Sequence, residues 1–133
     1  MNKQQGRSGR LSGSARSVLA YGVYIIVVGT AFLLFPNVGL RLLGLKTTTE
    51  VWIHIMSWFV IWVGIYYIVS ALGESRAFIR ATVLGRPTFI VFSSVIVALG
   101  MIEPVFLLFG AIDLATAAWT YVLMRSEKKT SAA

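Results

Sequence analysis

The sequence predicts an all-α fold, an antiparallel bundle of four transmembrane helices, and three observations lead to it. Residues 18–35 carry no charge, residues 51–72 carry only His54, and residues 87–102 and 104–124 are apolar runs separated by Glu103. A helix rises about 1.5 Å per residue and the hydrocarbon core is about 30 Å thick, so about 20 apolar residues make one crossing. The 38 residues from Pro87 to Met124 therefore suit two crossings. The second observation is composition: 57% of residues are hydrophobic and 13% charged, against about 25% charged in soluble domains. Third, the runs lack the inside/outside alternation of a membrane β-barrel. One four-span domain fills the chain and leaves no room for a separate soluble catalytic domain.

Charge placement orients the spans. Lys3, Arg7, Arg10 and Arg16 precede the first span, Arg76, Arg80 and Arg86 lie near the second connection, and Arg125, Lys128 and Lys129 follow the fourth. Only Arg41 and Lys46 belong to the other side. The positive-inside rule then makes both termini and the central connection cytoplasmic. Anionic lipid headgroups are the expected partners of these cations, at about 1 kcal/mol each near the surface.

Residues 1–16 are polar, rich in Gly, Ser and Arg, and read as a disordered cytoplasmic tail. The following apolar run is too long for a signal-peptide core and no small-x-small site follows it, so an uncleaved first span (about 18–35) is expected. Pro36-Asn37 ends it. Residues 38–46 suit a short amphipathic segment in the outer interface. Thr47-Thr48-Thr49-Glu50 then suggests a threonine N-cap for the second span, 51–72. Trp52, Trp119 and Tyr121 fall at span ends, as an aromatic belt requires. Residues 74–86 are either an interfacial helix or the tilted start of span three. Starting that span near residue 81, with Arg86 snorkelling to the headgroups, gives 81–102 a sufficient length. Span four covers about 104–124, closing a membrane domain over 17–125, and 126–133 form a second tail.

Cysteine is absent, which excludes disulfides, thiolate metal sites and cysteine nucleophiles. No phosphate-cradling glycine loop, metalloprotease helix or nucleophile elbow is present. The arginines lack the aromatic interleaving that grips bases, so nucleic acid is not an expected partner. Asp113 is the most informative residue. It sits near the middle of span four, where a carboxylate costs about 2.5–3.5 kcal/mol and faces the bundle interior. Gly110, Asp113, Thr116, Ala117 and Thr120 share one helical stripe, and Ala111, Ala115 and Ala118 share another. The first is a polar seam and the second a close-packing face for a neighbouring helix. Asp113 is either a structural hydrogen-bonding group, paired with an arginine or tyrosine, or a proton relay, ligand or catalytic group.

Glu103, before Pro104, suits the start of span four on dipole grounds. His54 is expected to be a packed or water-linked histidine. No cofactor or metal is expected, since zinc and bis-His haem need further ligands, and single-His pigment ligation is the one arrangement His54 admits. Trp58, Trp62 and Tyr66 form an i, i+4, i+8 ridge, expected first as a packing or lipid-contact face; the alternative is that with Tyr67 they line a pocket, with Asp113 as its polar point. Arg76, Arg80 and Arg86 are the candidate headgroup-binding residues.

The short four-span layout, with Phe35-Pro36 closing span one, the 80–86 segment and Phe109-Gly110-Ala111-Ile112-Asp113 in span four, resembles the broad group of small bacterial DoxX-like four-helix membrane proteins. The resemblance implies an accessory role beside a membrane oxidoreductase complex. The small multidrug exporters carry an essential glutamate in span one, whereas residues 18–35 contain no acid. A structural or accessory subunit, acting as a homo-oligomer or in a larger membrane complex, is the expected function, with a non-catalytic role favoured. The alternatives are an oligomeric proton- or ion-coupled transporter and a membrane enzyme acting on a lipid, quinone or terpenoid.

Overall fold

The computed structural model describes residues 10–132, and among them every regular element is a helix. The element order is α1 (Gly13–Leu34), α2 (Pro36–Leu42), α3 (Trp52–Leu72), α4 (Arg76–Ala98) and α5 (Phe106–Ala132). All but α2 are long and apolar enough to cross a membrane. The tail expected over residues 1–16 lies partly outside the described residues.

Helix α1 starts earlier than the apolar run because Ser12 caps it, accepting from the Ala15 amide at 3.3 Å. It stops before Pro36, which has no N–H to continue the ladder and opens α2 instead. The expected threonine N-cap of α3 is not formed. Val51 occupies that position without a side-chain bond, and the Thr48 hydroxyl accepts from the Glu50 amide at 3.1 Å, closing a local turn. Asn37 Oδ1 accepts from the Thr48 amide at 2.9 Å and pins this connection to α2.

Ser75 caps α4, accepting from the Phe78 amide, and the helix runs unbroken from Arg76 through Pro87. Residues 76–98 therefore form one continuous helix, with no break between the 76–86 segment and the apolar run that follows. Helix α5 has 27 residues, about 40 Å of rise, which is longer than the about 30 Å of a hydrocarbon core. Most of the expected C-terminal tail is thus helical.

Three helices end in the same hydrogen-bonded motif, with a left-handed residue after the cap: Gly44, Glu74 and Gly100. Glycine suits that conformation, but Glu74 (φ 50°) accepts its strain. The side chain so placed explains its presence, because Glu74 Oε1 accepts from the Ser12 amide at 2.5 Å.

Helix α1 is the hub. It packs along α3 and against α5, while α4 packs along α5; α3 and α4 meet only sparingly. The α1–α3 approach is set by glycines. A Cβ on Gly64 would lie 2.6 Å from Ile26 Cγ1 and 2.9 Å from the Gly22 carbonyl oxygen. A Cβ on Gly110 would lie 2.9 Å from Ile90 Cα, so glycine also permits the α4–α5 crossing. At the end where Ser12 meets Glu74, Ala15, Val18, Ala71 and Ile79 form a fully buried apolar cluster.

Candidate functional site

A file of polar side chains runs inward from that end between α1, α4 and α5. Its outermost member is Glu127, which the sequence reading did not single out. Glu127 accepts from the Ser14 amide at 2.7 Å, the Ser14 hydroxyl at 2.8 Å and Arg76 Nη1 at 2.6 Å. Partial burial pushes its carboxyl up, but the bonds from Arg76 and Ser14 outweigh that and hold it below the ordinary carboxylate range. Arg76 also faces Glu74 at 3.6 Å.

One turn deeper, the Ser17 hydroxyl lies 2.8 Å from the Ser14 carbonyl and 3.0 Å from Thr120 Oγ1. Thr120 is the junction. Fully buried, it donates to the Thr116 carbonyl at 2.9 Å and accepts from Arg86 Nη2 at 3.0 Å. Arg86 Nε donates to the Thr82 carbonyl at 3.3 Å. The guanidinium also stacks on two rings, 4.5 Å from the Tyr21 centroid and 5.9 Å from that of Tyr67. Tyr21 then donates its hydroxyl to Asp113 Oδ1. Tyr21 and Tyr67 rings stand 5.2 Å apart, and Tyr67 packs edge-on to Phe78.

Arg86 corrects the sequence reading. Instead of snorkelling, it is only 5% exposed and points into the protein. It lies ten residues into α4, about 15 Å along the axis, where Thr82 and Thr120 hydroxyls and two tyrosine faces replace the headgroups. Its Nη1 is buried without an acceptor, and it makes no ion pair among the described residues. A buried guanidinium with an unused donor is costly unless something fills that position.

Asp113 faces inward and half-buried, as the polar stripe predicts, and of the two expected partner types the tyrosine is the one that meets it. The alanines of the other stripe, Ala111, Ala115 and Ala118, are exposed. Thr116 spends its hydroxyl on its own helix, at the Ile112 and Asp113 carbonyls. Trp58, Trp62 and Tyr66 do stack as a ridge, with centroids 6.2 and 6.0 Å apart, but all three are exposed on the outer face of α3. Tyr67, one residue on, is the ring that turns inward. Glu103 is exposed at the far end, separated from Asp113 by Phe106, Phe109 and the Gly110–Ile90 crossing. His54 is also exposed there, with Nδ1 3.0 Å from the Leu33 carbonyl oxygen. Arg80 is exposed in a groove shared with Met124 and Lys128. Among the described residues no three metal-ligating side chains converge.

The residues missed by sequence reasoning had a spacing signal. Asp113, Thr120 and Glu127 recur every seven residues on α5, Ser14 and Tyr21 do so on α1, and Thr82 and Arg86 are one turn apart. Short hydroxylated residues at a helix start look like tail sequence, which hid Ser14, and Ser17 lies at the edge of that stretch. Comparison of the chain with protein-family models, curated proteins and solved structures finds no match.

Proposed function

We propose that the chain is a multi-pass protein of a bacterial inner membrane, an antiparallel four-span bundle with both termini cytoplasmic, acting as a structural or accessory subunit. The antiparallel arrangement is supported by register: Ser14 meets Glu127, Ser17 meets Thr120 and Tyr21 meets Asp113, so α1 and α5 run in opposite senses. Ten of the twelve Lys and Arg residues fall in the three segments that this arrangement gathers on one side.

The observation that carries the accessory reading is the outward row of Ala111, Ala115 and Ala118 on α5. Small residues let helix backbones approach, and among the described residues these three are exposed. The occupant of that face is a second copy or a larger membrane complex, in keeping with the DoxX-like layout. Ala115→Leu, at an exposed position, is expected to abolish co-purification of the partner or the oligomer while leaving insertion intact. A wild-type protein that is strictly monomeric and partner-free in native gels refutes this reading.

A second reading rests on the unused Nη1 of Arg86 beside Tyr21 and Asp113. That group suits the anionic or carbonyl head of a lipid, quinone or terpenoid, or an ion-coupled transport step within an oligomer. Asp113→Asn separates the two. The amide still accepts from Tyr21, so an accessory subunit keeps assembling and working. A proton-relaying or acid–base group loses all activity with assembly unchanged.

A further inference from the structure

We propose that the apolar chamber beneath α2 binds one acyl chain of an anionic membrane lipid, whose phosphate is held by Arg41 and Lys46. This rests on the membrane reading above but not on the accessory role.

The chamber has a volume of about 230 Å³ and lies at the end of the protein opposite Glu127. Its walls come from α1, α3 and the first turn of α5, and α2 with the turn after it forms its roof. Phe32, Leu40, Leu43, Val60 and Phe109 represent its lining. The one hydroxyl there, Ser57, is spent on the Ile53 carbonyl at 2.7 Å. Apart from the Trp52 indole N–H, the lining side chains offer water no free partner, and cavities so poor in polar groups take apolar occupants. Helices α3 and α5 do not pack along one another, which leaves a lateral way in from the surrounding lipid.

The roof supplies the head-group chemistry. Leu40 is buried and Leu43 and Leu45 face the chamber, whereas Arg41 and Lys46 are exposed. These two are the only cations between residues 17 and 75. The positive-inside rule disfavours cations at this end, yet both stand on the segment that covers the cavity. The exposed carboxylates at this end are Glu50 and Glu103, each outside α2. A phosphate is therefore drawn to the α2 side of the mouth, with its chain passing under Leu40 and Leu43.

The test uses the whole protein in nanodiscs of equal parts phosphatidylglycerol and phosphatidylcholine, released into native mass spectrometry. The wild type is expected to retain one lipid per chain, phosphatidylglycerol over phosphatidylcholine by at least threefold. Arg41→Gln with Lys46→Gln should keep a lipid but lose the headgroup preference. Val60→Phe, which puts a ring into the chamber and narrows it, should lower retained lipid about tenfold. Undiminished lipid in Val60→Phe, or an unchanged preference in the double variant, overturns the proposal. If Val60→Phe does not fold, a lipid carrying a diazirine at its acyl terminus, photolysed on the wild type, decides the matter. Cross-links to α2 or to Phe106 and Phe109 support the site, and cross-links confined elsewhere overturn it. Extraction of the protein by alkaline carbonate would instead defeat the membrane reading itself.

Discussion

Thr120→Val tests whether the buried polar file holds the helices together. Valine keeps the shape of threonine and removes one oxygen. That oxygen accepts from Arg86 Nη2 and lies 3.0 Å from the Ser17 hydroxyl. Ser17 retains the Ser14 carbonyl at 2.8 Å, whereas Arg86 Nη2 is left with only the 3.5 Å approach to Thr82 Oγ1. A hydrogen bond to a charged group contributes about 1.5–3 kcal/mol, while interhelical bonds within membranes average about 0.6 and reach about 1.7. The donor here is charged and buried, which places the expected loss near the top of the membrane range, about 1.5–2 kcal/mol. Thr116→Val is the control, since that hydroxyl touches only carbonyls of its own helix, and it should cost under about 0.5 kcal/mol. Unfolding by SDS in mixed micelles, followed by tryptophan fluorescence, measures both. In an Arg86→Met background the Thr120→Val loss should shrink by about 1 kcal/mol or more, because the coupled partner is gone. Equal losses for Thr116→Val and Thr120→Val, or no coupling to Arg86, would refute the reasoning.

Gly64→Ala should destabilise by about 1–3 kcal/mol, because its Cβ meets Ile26 and the Gly22 backbone, whereas Gly85→Ala, with open space around it, should stabilise α4 by about 0.5–1 kcal/mol; paired SDS titrations check the opposite signs. The Glu127 carboxyl is held below its ordinary range in the fold, so its tie is fully present above the unfolded-state value and is lost as pH falls through the lowered one. Protection of the Ser14 amide in hydrogen exchange should therefore drop on acidification below the usual carboxylate range, and Glu127→Gln should remove that pH dependence.

Residue types and their order were enough to establish the number and approximate limits of the long helices. Apolar run length is a local property, and neither the Pro36 break nor the Gly100–Pro104 interruption depends on what packs nearby. The inward face of α5 was legible too, because Asp113 and Thr120 share a stripe whatever their neighbours are. Partners were not legible. Tyr21 meets Asp113, and Ser14 meets Glu127, only because α1 and α5 adopt one rotation and one axial register. Close approach at Gly22, Gly64 and Gly110 limits those choices, and glycine in a sequence does not say which helix approaches it. Arg86 turned inward against the snorkelling expected of a cation near a span end, since two tyrosine faces and two threonines from other turns and helices receive it. The ridge of Trp58, Trp62 and Tyr66 was legible as spacing but its direction was not: it faces outward because Gly64 and Tyr67 occupy the side of α3 that packs on α1. Helix existence is decided along the chain, whereas polar pairing is decided across it, by the rotation of each helix about its own axis.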